Sequence, residues 1–203
     1  MGRRSVHTAE ELRELILQAS TELIEHHGLG GLSAREIARR IDYSPGTLYN
    51  VFQNLDDLVL TIEGRLLDSL SEKLDQAAAL YPDPGQRILR LAEAYLQFTH
   101  ANPKLWNLLF EHRLPAGHEI PQWYQQKLEG LMARVEEALA PVMKEADPIA
   151  VKRAARVLWA GVHGITSLST AEKLSTVTTE GAAALVDDLV RTYLAGLGRS
   201  HKK

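Results

Sequence analysis

The sequence predicts an all-α protein: an N-terminal three-helix head containing a helix-turn-helix, followed by a C-terminal helical bundle, about nine helices in all. Three observations predict it. Apolar residues recur at helical spacing along nearly the whole chain, and no segment alternates as a strand does. Helix-start signals, a Ser, Thr, Asp or Asn before the apolar run, open most of these segments. Within Ser33–Leu58 two such signals stand so close that only Ile41, Asp42 and Tyr43 separate two short helices.

Composition bounds the rest. The chain has 203 residues, 45% hydrophobic and 24% charged, which is globular composition and enough for one sizeable core or two small ones. The net charge of −3 gives no global pull toward nucleic acid. The first 55 residues carry six arginines against seven carboxylates, so any nucleic-acid contact there must rest on local placement. With no cysteine there is no disulfide framework and no thiolate chemistry. No apolar run follows Arg3-Arg4, and no stretch approaches the length of a membrane span, so a cytoplasmic location follows as the default.

Met1–His7 reads as a polar arm. Thr8 with Glu11 is a capping box, and Leu12, Leu15, Ile16, Ala19, Leu23 and Ile24 carry a helix to about His27, where Gly28, Gly30 and Gly31 end it. Ser33 caps the next helix, Ala34 to about Arg40, with Ile37, Ala38 and Ile41 as its apolar stripe. Ser44-Pro45 opens another: a side-chain oxygen for the orphan amides, then a residue whose missing N–H costs nothing at the first helical position. Leu48 and Phe52, four apart, with Val51 beside them, form its inner face. Ala38 is small enough for the two helices to approach closely. Thr47, Tyr49 and Asn50 then point outward, a hydroxyl, a phenol and an amide suited to phosphates and base edges, and Gly46 lets the backbone come near the DNA.

This stretch resembles the DNA-binding domain of the tetracycline-repressor (TetR) family. The resemblance is carried by Ile37-Ala38, Ser44-Pro45-Gly46-Thr47-Leu48-Tyr49, Phe52 and Asp56-Asp57-Leu58, with Gly28 and Leu32 upstream. It implies DNA contacts from Arg3, Arg4, Ser33, Arg35, Ser44, Pro45, Gly46, Thr47, Tyr49 and Asn50, with the first helix bracing the helix-turn-helix. For Arg3-Arg4 a frayed, solvated terminus is the other reading. Two positions depart from the family pattern. Asp42 stands where the family usually has a turn glycine; it can adopt a left-handed backbone at some cost. Leu55 replaces the usual lysine before the acidic pair, removing one positive charge.

Asn54 with Asp57 starts a long helix to about Ala79, with Leu58, Ile62, Leu66, Leu70 and Leu74 on its apolar face. The functional boundary is placed inside this connection: residues 1–55 form the DNA-binding domain, and 56–203 the ligand-binding and dimerisation domain. Asp83-Pro84 opens a helix carrying Ile88, Leu91, Ala92, Tyr95 and Phe98. Asn102-Pro103 opens a short one with Leu105, Trp106, Leu109 and Phe110, and Arg113–Pro121 reads as a loop. Helices follow over about Gln122–Lys144 and from Pro148 to about Thr170. The last begins after Thr179-Glu180 and ends at Gly196 or Gly198.

The stretch WAGVHGITSL places Trp159 and His163 on one helix face, and Gly161 and Gly164 three apart, where another helix can pack closely. It resembles a C-terminal domain of part of the TetR family known for its Trp, His and Gly, over roughly residues 84–197. That resemblance implies a small-molecule effector in the C-terminal bundle. The candidate ligand-binding residues are Tyr95, Phe98, Trp106, Phe110, Trp123, Trp159 and His163, with Trp106, Phe110, Trp159 and His163 expected around one cavity. Each also has a plainer reading as core packing, and His163 as a histidine satisfied inside the bundle. Trp123 and Tyr124 are adjacent, so at most one faces such a pocket. His100, His112 and His118 read as surface histidines, with no cysteine or close carboxylate to complete a metal set. No phosphate loop, GxSxG, HExxH or nucleotide fingerprint is present, so no catalytic residue and no cofactor is expected. The expectation is a regulator, read as a repressor. It binds a pseudo-palindromic operator as a homodimer through the last two long helices and releases it when an effector enters the bundle.

Overall fold

The computed structural model describes residues 7–144 and 146–200, the last two without their side chains. Among these residues there are nine α-helices, two short 3-10 turns and no strand. The helices are α1 Ala9–His27, α2 Ala34–Arg40, α3 Pro45–Leu48, α4 Leu55–Ala79, α5 Pro84–Ala101, α6 Pro103–Glu111, α7 Gln122–Leu139, α8 Pro148–Thr170 and α9 Ala182–Ser200.

Their starts are set by the local chemistry read from the sequence. Thr8 and Glu11 exchange side-chain-to-backbone hydrogen bonds as a complete capping box. Ser33, Asn54, Asp83 and Asp147 each accept a backbone amide from the first turn that follows. Ser44 does not follow that expectation. Its hydroxyl lies 3.0 Å from Thr47 Oγ1, and the Thr47 amide is satisfied by the Ser44 carbonyl instead. The second helix of the motif is also shorter than its apolar pattern implies. α3 stops at Leu48, and residues 49–51 continue as tight turns closing onto the carbonyls of Gly46, Thr47 and Leu48, while the Phe52 amide still reaches Leu48.

Two helices end elsewhere than their sequence spacing predicts. α7 stops at Leu139, not Lys144, because Pro141 has no amide to continue the ladder and disfavours helix in the residue before it. α9 runs to Ser200 and through Gly196 and Gly198. A glycine stops a helix by taking a positive φ, and among the described glycines only Gly28 and Gly117 do so.

The chain forms two compact units. One comprises the described residues up to Leu66 together with Lys104–Tyr124; the other comprises Leu67–Pro103 and the residues from Gln125 on. Helix α4 runs through both. In the first unit, Ile16, Leu17 and Ile24 of α1, Ile37 of α2, Leu48 and Phe52 are almost fully buried around the start of α4. Arg40 donates to Glu22 at 3.0 and 3.2 Å, and Arg65 pairs with Glu14, tying α2 and α4 to α1. The Arg13 guanidinium lies 4.5 Å over the Phe52 ring. Lys104 of α6 donates to the His26 carbonyl at 2.5 Å, meeting the negative end of α1.

In the second unit, α5, α8 and α9 pack on one another through Ile88, Leu91, Leu158, Val162, Val186 and Val190. α9 lies close against Gly161: a Cβ there would be 2.8 Å from Leu189 Cδ2. Tyr193 donates to the Ala154 carbonyl at 3.0 Å, and Arg134 of α7 forms a two-pronged pair with Asp75 of α4.

Candidate nucleic-acid interface

The turn between α2 and α3 is held by a left-handed Asp42, with φ of +57°. A non-glycine residue can occupy that region, and aspartate tolerates it better than most. The Tyr43 amide returns to the Ala38 carbonyl at 2.9 Å, closing the turn. The two short helices are fixed from below, where Ile37, Ala38, Leu48 and Phe52 are buried. On the opposite side, Arg35, Ser44, Pro45, Gly46, Tyr49 and Asn50 are exposed, Tyr49 by 52%, and Thr47 is half-buried. Apolar residues four apart, Leu48 and Phe52, anchor this segment, and Tyr49 and Asn50 between them face solvent. This is the geometry by which a helix-turn-helix presents side chains to a major groove. Ser33 is less available, because its hydroxyl accepts the Glu36 amide at 3.2 Å. Arg3 and Arg4 lie outside the described residues.

The pairing of charges explains how a head with no net positive charge is organised. Arg39 pairs with Glu36 within α2, and Arg40 pairs with Glu22 across to α1, so both arginines are engaged within the head. His7 Nδ1 lies 2.7 Å from the Tyr43 hydroxyl, a contact between the start of α1 and the helix-turn-helix turn that sequence patterning does not announce.

The candidate effector residues fall into different places. Tyr95 of α5 and Trp159 and His163 of α8 come together in the second unit. The Tyr95 hydroxyl is 2.8 Å from His163 Nδ1, and the Trp159 and His163 rings stack with centroids 5.1 Å apart and planes 9° from parallel. Burial lowers the His163 pKa below its ordinary value and favours the neutral ring. Phe98 is buried on the same helix as Tyr95. Trp106 and Phe110 belong to the first unit, where their rings meet edge to face at 5.9 Å. Trp106 is buried, whereas Phe110 and Trp123 are 47% and 41% exposed; of the pair at 123–124 it is Tyr124 that turns inward.

His112 is not a surface histidine. Its side chain is 7% exposed and lies between two α4 carboxylates, Glu63 at 3.1 Å and Asp56 at 3.2 Å. His100 and His118 are exposed as expected, and no set of three potential ligands placed to hold a metal ion occurs among the described residues. Glu63 was missed. Its signal was present: it stands four residues from both Val59 and Leu67, an acid inside an apolar stripe.

A capped helix-turn-helix on a braced three-helix head, joined by a continuous helix to a larger helical unit, defines a one-component DNA-binding regulator. Residues 16–62 match the bacterial regulatory proteins of the tetR family, and residues 88–193 match the tetracyclin repressor-like C-terminal domain. The chain belongs to the TetR family of transcriptional regulators. It is similar to an uncharacterized HTH-type transcriptional regulator of Mycobacterium tuberculosis, 24% identical over 187 residues that cover 92% of this chain and 82% of the relative. Among solved structures it resembles a Rhodococcus sp. RHA1 protein of unknown function, with a TM-score of 0.79, 22% identity, and 97% and 100% of the two chains covered. It also resembles Thermus thermophilus FadR, a TetR-family repressor in complex with lauroyl-CoA, with a TM-score of 0.65, 22% identity, and 91% and 94% covered. Among the described residues no helix is long and apolar enough to cross a membrane.

Proposed function

We propose that this regulator is a cytoplasmic repressor that binds a pseudo-palindromic operator as a homodimer and leaves it when a small-molecule effector occupies the C-terminal bundle. Gly46, Thr47, Tyr49 and Asn50 form the reading surface, with Ser44, Pro45 and Arg35 beside it and Arg3-Arg4 as an accessory arm. The observation that carries the reading is the pairing of an exposed polar edge at α3 with the almost fully buried Leu48 and Phe52 beneath it. The homodimer forms through α8 and α9. In support, Val157, Ala160, Gly164 and Leu168 are exposed at helical spacing along one side of α8.

Residues 1–55 bind DNA and 56–203 carry effector binding and dimerisation. The effector contacts the Tyr95–His163–Trp159 cluster, with Phe98 beside it. Two polar tips within an aromatic surround, with a neutral imidazole, suit an uncharged or apolar portion of a ligand, such as an acyl chain. The lauroyl-CoA held by the Thermus regulator makes a fatty acyl thioester the first candidate. The test has two stages. Selection from a random duplex library should recover an inverted repeat, and acyl-CoAs of increasing chain length should then release the protein from it. Recovery of no preferred duplex overturns the regulator reading. Retention of the operator at every chain length overturns the acyl assignment.

A further inference from the structure

His112 directly follows α6, and its amide still closes the helix onto the Leu108 carbonyl at 2.9 Å. Its ring spans two carboxylates seven residues apart on one face of α4. Nδ1 is 3.1 Å from Glu63 Oε1, and Nε2 is 3.2 Å from Asp56 Oδ1. Glu63 is nearly inaccessible, with a side chain 3% exposed, and it also takes a hydrogen bond from Tyr124 of α7. An ionised carboxylate can only accept. Both contacts are hydrogen bonds only when the ring carries a proton on each nitrogen; a neutral imidazole has one N–H and turns a lone pair toward the other carboxylate. With both partners as carboxylates, the two-sided clamp is complete only when the ring is an imidazolium.

Its position ties it to the reading head. Asp56 lies in the first turn of α4, between the Asn54 cap and Asp57, whose carboxylate accepts the Gln53 amide at 3.0 Å. The next residue back is Phe52, the buried anchor of the recognition element. All these residues belong to the first unit. We propose that His112 is a positioning residue for operator binding: protonated, it clamps the first two turns of α4 and so fixes the recognition element, and operator affinity falls when the proton leaves. The inference rests on the reading of this chain as an operator-binding regulator.

The groups that face His112 set the sign. From α4 these are Glu63, whose hydrogen bond raises the His112 pKa most, and Asp56, which adds to it; burial opposes both. From α7 the facing group is Tyr124, whose hydroxyl is kept protonated first by burial and then by Glu63. Glu111 and Arg113 flank His112 in the chain. A histidine raised on folding contributes fully below its unfolded value of about 6.5, and the contribution is lost as pH rises through the higher folded value. By reciprocity, an operator that selects the clamped head must raise the His112 midpoint further.

The experiment measures affinity of the full chain for the selected duplex by fluorescence anisotropy at constant ionic strength from pH 6 to 9. Wild type should lose roughly tenfold, the effect of a midpoint moved by about one unit on binding. His112→Gln keeps an N–H donor and does not titrate, so its profile should be flatter by that factor. As a readout independent of the variant's folding, the His112 ring-proton resonance of wild type should titrate at higher pH with the duplex bound than without it. A merely structural histidine would lower thermal stability in the variant and leave the two pH profiles parallel. Parallel profiles, an affinity that rises with pH, or an unmoved His112 midpoint overturns the inference while specific binding stands. Loss of specific binding by wild type at every pH overturns the regulator reading with it.

Discussion

On the proposed operator-binding reading, single side chains at the end of α3 decide what is read and how tightly. Tyr49 and Asn50 are exposed and Thr47 is half-buried; on the same reading Tyr49 meets a phosphate, and Thr47 and Asn50 meet base edges. Tyr49→Phe removes one hydroxyl and should weaken binding by about 1 kcal/mol per half-site, equally on all operator variants, because phosphate contacts carry no sequence information. Thr47→Ala or Asn50→Ala should instead relax preference at particular base pairs by roughly 1–3 kcal/mol. Leu55→Lys restores a charge at the start of α4 and should steepen the salt dependence by nearly one unit of slope for one new phosphate contact. Salt titrations on these four variants check all of it; an unchanged slope for Leu55→Lys removes that residue from the interface. In the second unit, Trp159 stacks on His163. Trp159→Ala should blunt release by effector and leave effector-free operator affinity unchanged, both measured in one anisotropy titration. Equal loss of both would make the stack structural.

Elements are held by features that differ along each helix. The α8–α9 contact is tight at Gly161, where even a Cβ presses on Leu189. Gly161→Val should destabilise the protein by about 1–3 kcal/mol through overpacking, seen as a lower urea midpoint with unchanged slope. Gly164, three residues on, has nothing within 4 Å of an added Cβ inside its own chain, so Gly164→Ala adds no overpacking there and gains up to about 1 kcal/mol through helix propensity. The contrast tests the packing assignment, because the two glycines are equivalent in sequence pattern. In the head, α3 has only one turn of regular helix, so its position depends on Leu48 and Phe52 beneath it, not on intrinsic helicity.

At the scale of the molecule, a single reading head meets only half of an inverted repeat. Two heads on successive major-groove faces need a separation of roughly 34–36 Å or a multiple, which a two-fold dimer supplies. The exposed side of α8, with Val157 at 55% and Leu168 at 41% exposure, is apolar surface that a symmetric partner would cover. Sedimentation should show a dimer at micromolar concentration. Gly164→Arg, which the open space around Gly164 accommodates within one chain, should yield monomers that have lost specific operator binding. A monomeric wild type, or a Gly164→Arg dimer, rules out this surface.

The sequence by itself determined the helices and their starts, because caps, prolines and 3.6-residue periodicity are local. The capping box at Thr8–Glu11 and the Ser33 cap are legible without any tertiary information. The outward face of α3 was legible for the same reason, since Leu48 and Phe52 define the inner one. Tertiary structure decided what depends on which helices meet. Spacing made Trp159 and His163 neighbours, but only folding brought Tyr95, 68 residues away, onto His163. It also allotted Trp106 and Phe110 to a different unit from Trp159 and His163. His112 looked like a loop-side surface histidine because its partners, Asp56 and Glu63, are 56 and 49 residues distant, and burying a histidine becomes favourable only once both carboxylates are in place.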